Sequence, residues 1–161
     1  MKLTNSPNLD VLLDSAHVFP DLHGEDKSGI LRSLSCELEK LGAVPSSEEL
    51  YRKLLEREEL GSTAVGQGVA IPHCKLSELD KVVMAVGLVP EGVAPETPDS
   101  EPVRVFFLLA SPEASPSAHL QGLATISKWL KNGDNVDRIQ RATSKEDLFA
   151  CLSEDAGEGG E

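Results

Sequence analysis

The residue types that could do chemistry here are a histidine behind a glycine-rich loop, an arginine upstream of it, and a second histidine further along. His73 closes the step GVAIPH within GSTAVGQGVAIPHCK, residues 61–75. Pro72 stops that short apolar run and sets the His73 ring at a strand end, where sites in open α/β sheets gather. Gly61, Gly66 and Gly68 permit tight turns and close approach, and Ser62 and Thr63 add hydroxyls. Arg57, at the end of a predicted helix, can reach the same loop with a fork of donors suited to phosphate oxygens. His119 follows Ser115 and Ser117, either able to cap a helix, so it falls near a helix N-terminus, which favours an anion. A neutral imidazole has one lone-pair nitrogen, able to attack phosphorus and form an N–P bond that can pass the group on. His73, Arg57 and His119 together would make a phosphoryl-handling site, working by positioning and charge stabilisation. The competing reading of each histidine is a hydrogen-bonded ring at the rim of the core. His17 and His23 lie in a polar N-terminal region without such a context.

Other chemistries find less support. Cys36, Cys74 and Cys151 are odd in number, far apart and without C-x-x-C or zinc spacing. They are expected to be free thiols in a reducing cytoplasm. A thiol hydrolase built on Cys74 and His119 would lack an orienting group, and no spacing suggests a metal; no metal or cofactor is expected. The formal net charge over 161 residues is −12, which argues against a nucleic-acid partner and predicts an acidic rim around His73 meeting a basic partner. There is no apolar run of about 18 residues to span a membrane and no secretory h-region at the N-terminus.

The elements that must position these residues follow from periodicity. The first ~25 residues predict a short edge strand and a loop. Leu31, Leu34, Leu38 and Leu41 form the stripe of a helix started by Asp26 or Ser28 and ended by Gly42. After a short connection at Pro45, Ser46 and Glu49 match a capping box, opening a second helix that stops at Gly61. The runs 82–89 and 103–110 are almost wholly apolar and predict buried central strands; the segment 90–102 between them holds four prolines and predicts a loop. Leu120, Leu123, Ile126 and Leu130 predict a third helix, and Thr143 with Glu146 the capping box of a last one. The reading is one α/β domain over residues 1–152, a mixed central sheet flanked by helices, followed by an acidic, glycine-rich disordered tail at 153–161.

The segment LEREELGSTAVGQGVAIPHCK, continued by AHLQGLATISKWL, resembles the IIA domains of the phosphoenolpyruvate-dependent sugar phosphotransferase system, mannitol/fructose type. The likeness runs over about residues 30 to 150. It implies the mannitol-type IIA fold and a phosphotransferase component in which His73 accepts phosphate from a histidine-containing phosphocarrier protein. It places the supporting roles on Arg57 and His119. The R-E-x-x-G-S-T form most resembles the nitrogen-regulatory branch, which implies regulatory target proteins as partners. The alternatives are a component of fructose or mannitol uptake handing phosphate to a IIB protein, and a binding module that is never phosphorylated. Ala64 and Cys74 stand where the family often has glycine, so Ala64 restricts a backbone that could need positive φ.

Overall fold

The computed structural model describes residue 9 and residues 12–94 and 101–153. The chain runs β1 (Leu13–Phe19), α1 (Lys27–Lys40), α2 (Ser47–Glu59), β2 (Ala64–Gly66), β3 (Val69–Ala70), β4 (His73–Leu76), β5 (Val83–Val93), β6 (Val103–Pro112), α3 (Pro116–Leu130), α4 (Gly133–Gln140) and α5 (Lys145–Ser153). The sheet order is β1-β5-β6-β3-β2, with β4 also on β6. β5 and β6 pair antiparallel, while β1 is parallel to β5, and β3 and β4 are parallel to β6. The sheet is therefore mixed, and β1 lies at its edge as the sequence predicts.

The apolar runs of β5 and β6 are continuous because both faces are covered. Met84, Val86, Leu88, Val105, Phe107 and Leu109 point to α3, α4 and α5, in one core with Ile126, Trp129, Ile139 and Leu148. Their alternates Ala85, Val89, Phe106, Leu108 and Ala110 point the other way, to Leu31, Leu34, Leu38, Leu50 and Leu54 of α1 and α2.

The helix ends follow the sequence closely. The Asp26 carboxylate accepts from Gly29 N–H at 2.9 Å. Gly42, at φ 77, closes α1 by donating to Glu39 O while Ala43 N–H donates to Leu38 O, the paired bonds of a Schellman end. Leu41, counted in the stripe, is exposed at this cap. Ser46 Oγ accepts from Glu49 N–H, but Glu49 returns nothing to the cap because its carboxylate pairs with Arg52.

Five points differ from expectation. β5 continues past 89 to Val93, through a register shift after Leu88, so the predicted loop starts later. The buried side of α3 is His119, Gly122, Ile126 and Trp129, one residue off the predicted stripe, and Leu120 is exposed. Small Gly122 lets α3 close onto β6. The cap of α5 is Ser144, accepting from Asp147 N–H, not Thr143 with Glu146. Helix α4 has no counterpart among the predicted elements; Asn132 capping Asp134 N–H, with Val136 and Ile139 three apart, is the signal for it. Of the predicted tail, Ser153 ends α5 and residues 154–161 lie outside the described residues.

A Cβ on Gly122 would stand 3.0 Å from Leu109 Cδ2 and 3.2 Å from Leu109 Cδ1. Gly122→Val is therefore expected to destabilise the domain by about 1–3 kcal/mol through overpacking, read as a lower denaturant midpoint with unchanged slope.

Candidate phosphoryl-accepting site

His73 opens β4, opposite Leu109 of β6, rather than closing the strand before it. The apolar step breaks at Ile71 and Pro72, between β3 and β4, because both short strands pair with β6 while Pro72 can offer no N–H. Leu109 N–H instead donates to Pro72 O at 2.9 Å, which carries β6 across the break.

The break also sets the ring. His73 Nδ1 lies 2.7 Å from Ile71 O, an acceptor only, so the proton is on Nδ1 and the lone pair on Nε2. Arg57 Nε–H donates to that Nε2 at 3.2 Å, and Arg57 Nη1 donates to Gly61 O at 2.8 Å. The last turn of α2 and the glycine that follows it thus aim the guanidinium at the imidazole. His119, only 6% exposed, has its ring centroid 5.5 Å from that of His73. His119 Nδ1 is 2.8 Å from Ser111 Oγ, a fully buried hydroxyl at the end of β6. The three side chains predicted as a group do converge.

They line an open depression of about 690 Å³ with Lys53, Lys75, Glu56, Glu113 and Leu60. Lys53 and Glu113 approach to 3.7 Å. The rim therefore carries both signs, and the expectation of an acidic rim is corrected: a net charge of −12 says nothing of where the few lysines gather. Leu60 and Leu120 are 83% and 67% exposed, apolar side chains left on the surface, one three residues after Arg57 and the other next to His119 in the chain.

Burial lowers the pKa of His73 below 6.5, and the Arg57 and Lys75 charges push the same way against the Ile71 hydrogen bond. Burial also lowers His119, with His73 and Lys75 adding to it. Both rings are therefore neutral at pH 7. An unfolded chain would protonate first as pH falls through about 6.5, so the stability tied to these neutral rings is intact above that value. It is lost as pH falls through the lower, folded values. An acid unfolding series should show this loss in the parent and less of it in His119→Gln.

The loop residues act mainly on the loop itself. Ser62 Oγ accepts from Ala64 N–H at 3.0 Å, and Thr63, 5% exposed, gives its hydroxyl to Glu58. Gly66 and Gly68, at φ 96 and 76, make the β2–β3 turn with Gln67, at φ 60. Gly68 accepts from Arg104 and Val105 N–H, and a Cβ there would stand 3.3 Å from Pro102 O, so its close approach is to β6. Ala64 is extended in β2 and outside the positive-φ set, so alanine fits without strain.

Cys74, next to His73 in β4, packs into the core under α1 and α2 while also lining the depression. Burial pushes its thiol up to about 12, which leaves no thiolate for the hydrolase reading. Among the described residues no group of three or more potential metal ligands gathers, and no helix is long and apolar enough to cross a membrane. Ser111, Glu58 and Lys75 were not singled out in the sequence. Ser111 had a signal: a hydroxyl ending the apolar run of β6, in register with Lys75 of β4.

Residues 11–155 match the family model "Phosphoenolpyruvate-dependent sugar phosphotransferase system, EIIA 2". A nitrogen regulatory protein of Bradyrhizobium diazoefficiens is 31% identical over 147 residues, covering 91% of this chain and 95% of that protein. The crystal structure of the nitrogen regulatory protein IIA-Ntr from Neisseria meningitidis superposes with a TM-score of 0.79 at 28% identity, covering 89% of this chain and 98% of that one. The Escherichia coli IIA mannitol structure has the same fold, with a TM-score of 0.70 at 23% identity, over 87% of this chain and 98% of that one.

Proposed function

Since the chain belongs to the EIIA 2 family of the phosphoenolpyruvate-dependent sugar phosphotransferase system, we propose that it is a cytoplasmic phosphocarrier that accepts a phosphoryl group on His73 Nε2 from a histidine-containing phosphocarrier protein. The observation that supports this most is the His73 Nδ1–H bond to Ile71 O, which leaves the Nε2 lone pair facing the depression where Arg57 and His119 meet.

The step balances without a cofactor. The Nε2 lone pair attacks phosphorus on the donor's phosphohistidine and forms a new N–P bond. The donor N–P bond breaks, and its electron pair returns to the donor imidazole. No proton need leave His73, because Nδ1–H stays on Ile71 O. Arg57 Nε–H must release Nε2 first, and the guanidinium then has donors for the transferring oxygens. His119 aids the transfer where Ser111 Oγ–H donates to Nδ1, which puts the His119 proton on Nε2 as a further donor.

The nitrogen-regulatory branch is the better reading of the role. Nitrogen regulatory proteins of Bradyrhizobium diazoefficiens and Pseudomonas aeruginosa, 31% and 30% identical to this chain over 147 and 144 residues, support it. A IIA component of sugar uptake would use the same step, then hand the group to a IIB protein. Intact-mass analysis after incubation with phosphoenolpyruvate and the two upstream carriers should show one added phosphoryl group, acid-labile and stable in base. No added mass would overturn the carrier reading in favour of a binding module. Rapid discharge to a fructose- or mannitol-type IIB protein would favour the uptake role.

The lowered His73 pKa predicts the pH dependence. Acceptance needs the neutral ring, so the single-turnover rate should stay level as pH falls from about 8 to about 6.5 and drop only below that. An acid limb centred above pH 6.5 that follows this chain and not the donor would contradict the assignment.

A further inference from the structure

The polar contacts of His73 and Arg57 continue into the protein and return. Glu58, next to Arg57 in α2, has a side chain 10% exposed and sits 3.0 Å from Lys27 Nζ at the start of α1. Its carboxylate also accepts from the backbone N–H and hydroxyl of buried Thr63. Thr63 O accepts from Ile71 N–H at 3.0 Å, and Ile71 O accepts from His73 Nδ1–H at 2.7 Å. His73 Nε2 accepts from Arg57 Nε–H, and Arg57 is bonded covalently to Glu58, which closes the ring.

We propose that Glu58, paired with Lys27, is a positioning residue that selects the His73 tautomer through Thr63 and Ile71. The inference rests on His73 being the phosphoryl acceptor. A free imidazole populates both neutral tautomers, and a carbonyl at Nδ1 selects one only if that carbonyl is held in place. Ile71 lies in the gap between β3 and β4 and belongs to neither strand. Its N–H is anchored on Thr63, and Thr63 is anchored on Glu58. Taking a carboxylate and an ammonium out of water is costly, and an apolar pair of similar volume is often no less stable. What the apolar pair could not do is hold Thr63.

Two variants separate positioning from mere stability. Lys27→Met/Glu58→Leu removes both charges at once and leaves neither unpaired. Thr63→Val keeps the shape and removes only the hydroxyl. Two-bond ¹⁵N–¹H imidazole correlations on unphosphorylated protein report the tautomer, and single-turnover transfer reports the rate. The parent should show His73 as the Nδ1–H tautomer. Both variants should unfold cooperatively yet show mixed tautomers, with acceptance slowed on the order of 10²-fold in the double variant and less in Thr63→Val. A parent tautomer and parent rate in the double variant would overturn the proposal. If the double variant does not fold, the same two readouts on Thr63→Val decide it. A parent protein that takes no phosphoryl group would defeat the acceptor assignment, and the tautomer comparison would still judge the network.

Discussion

His73→Ala is expected to take up no phosphoryl group under conditions that label the parent protein fully. The variant should keep the parent's fold, since His73 is half-buried and lies at the rim of the depression, not in either core. Neighbouring imidazoles offer no substitute. His119 is buried with Nδ1 on Ser111, while His23 is exposed on another part of the surface between Asp21 and Glu91. Intact mass before and after exposure to the phosphorylated donor decides the matter. Full labelling of His73→Ala would move the acceptor to another residue and leave the ring of hydrogen bonds around His73 without a chemical purpose.

Arg57→Ala should slow acceptance on the order of 10²–10³-fold, the cost of one preorganised donor at a site where charge is moved. Two further effects follow from its contacts. Arg57 lowers the His73 pKa by its charge, and its Nε–H bonds the neutral form of the ring. Removing it raises that pKa on both counts, so the acid limb of the rate should move to higher pH as the plateau falls. Arg57→Lys is the sharper probe. It keeps the charge and therefore most of the pKa effect, but an ammonium cannot reach His73 Nε2 and Gly61 O together as the planar fork does. The lysine variant should keep the parent's acid limb with a lowered plateau. A plateau equal to the parent's in both variants would limit Arg57 to capping the end of α2.

Much of the fold was legible because its causes are local. Ser46 capping Glu49 N–H and Gly42 closing α1 are decided by residues three to five apart, and the alternation in β5 and β6 by the pleat of a strand covered on both faces. The errors also have local causes. Thr143 and Ser144 are both able to cap, and only the seating of α5 chose Ser144. Leu120 and His119 differ by one position on α3, and the apolar residue went outside while the histidine went in. Hydropathy could not order them, because the choice rests on Ser111 waiting at the end of β6 and on an exposed Leu120 having no partner in either core.

The sequence by itself determined that a histidine would stand after a proline stop behind a glycine loop, since Pro72 and the glycines constrain the backbone wherever they fall; that His73 opens a new strand on β6 came from the pairing of β4. It also determined that Arg57 would end a helix beside that loop. The tertiary structure alone decided that the His73 Nε2 lone pair faces Arg57, that Ser111 orients His119, and that Glu58 ties Lys27 to Thr63. Lys27 and Glu58 are 31 residues apart in the chain, and Arg57 and His73 are 16 apart. A hydrogen bond fixes direction to within a few tens of degrees and distance to within about half an ångström. Such contacts exist only once β4 has paired with β6 and α1, α2 and α3 have packed around them, so no pattern along the chain could specify them.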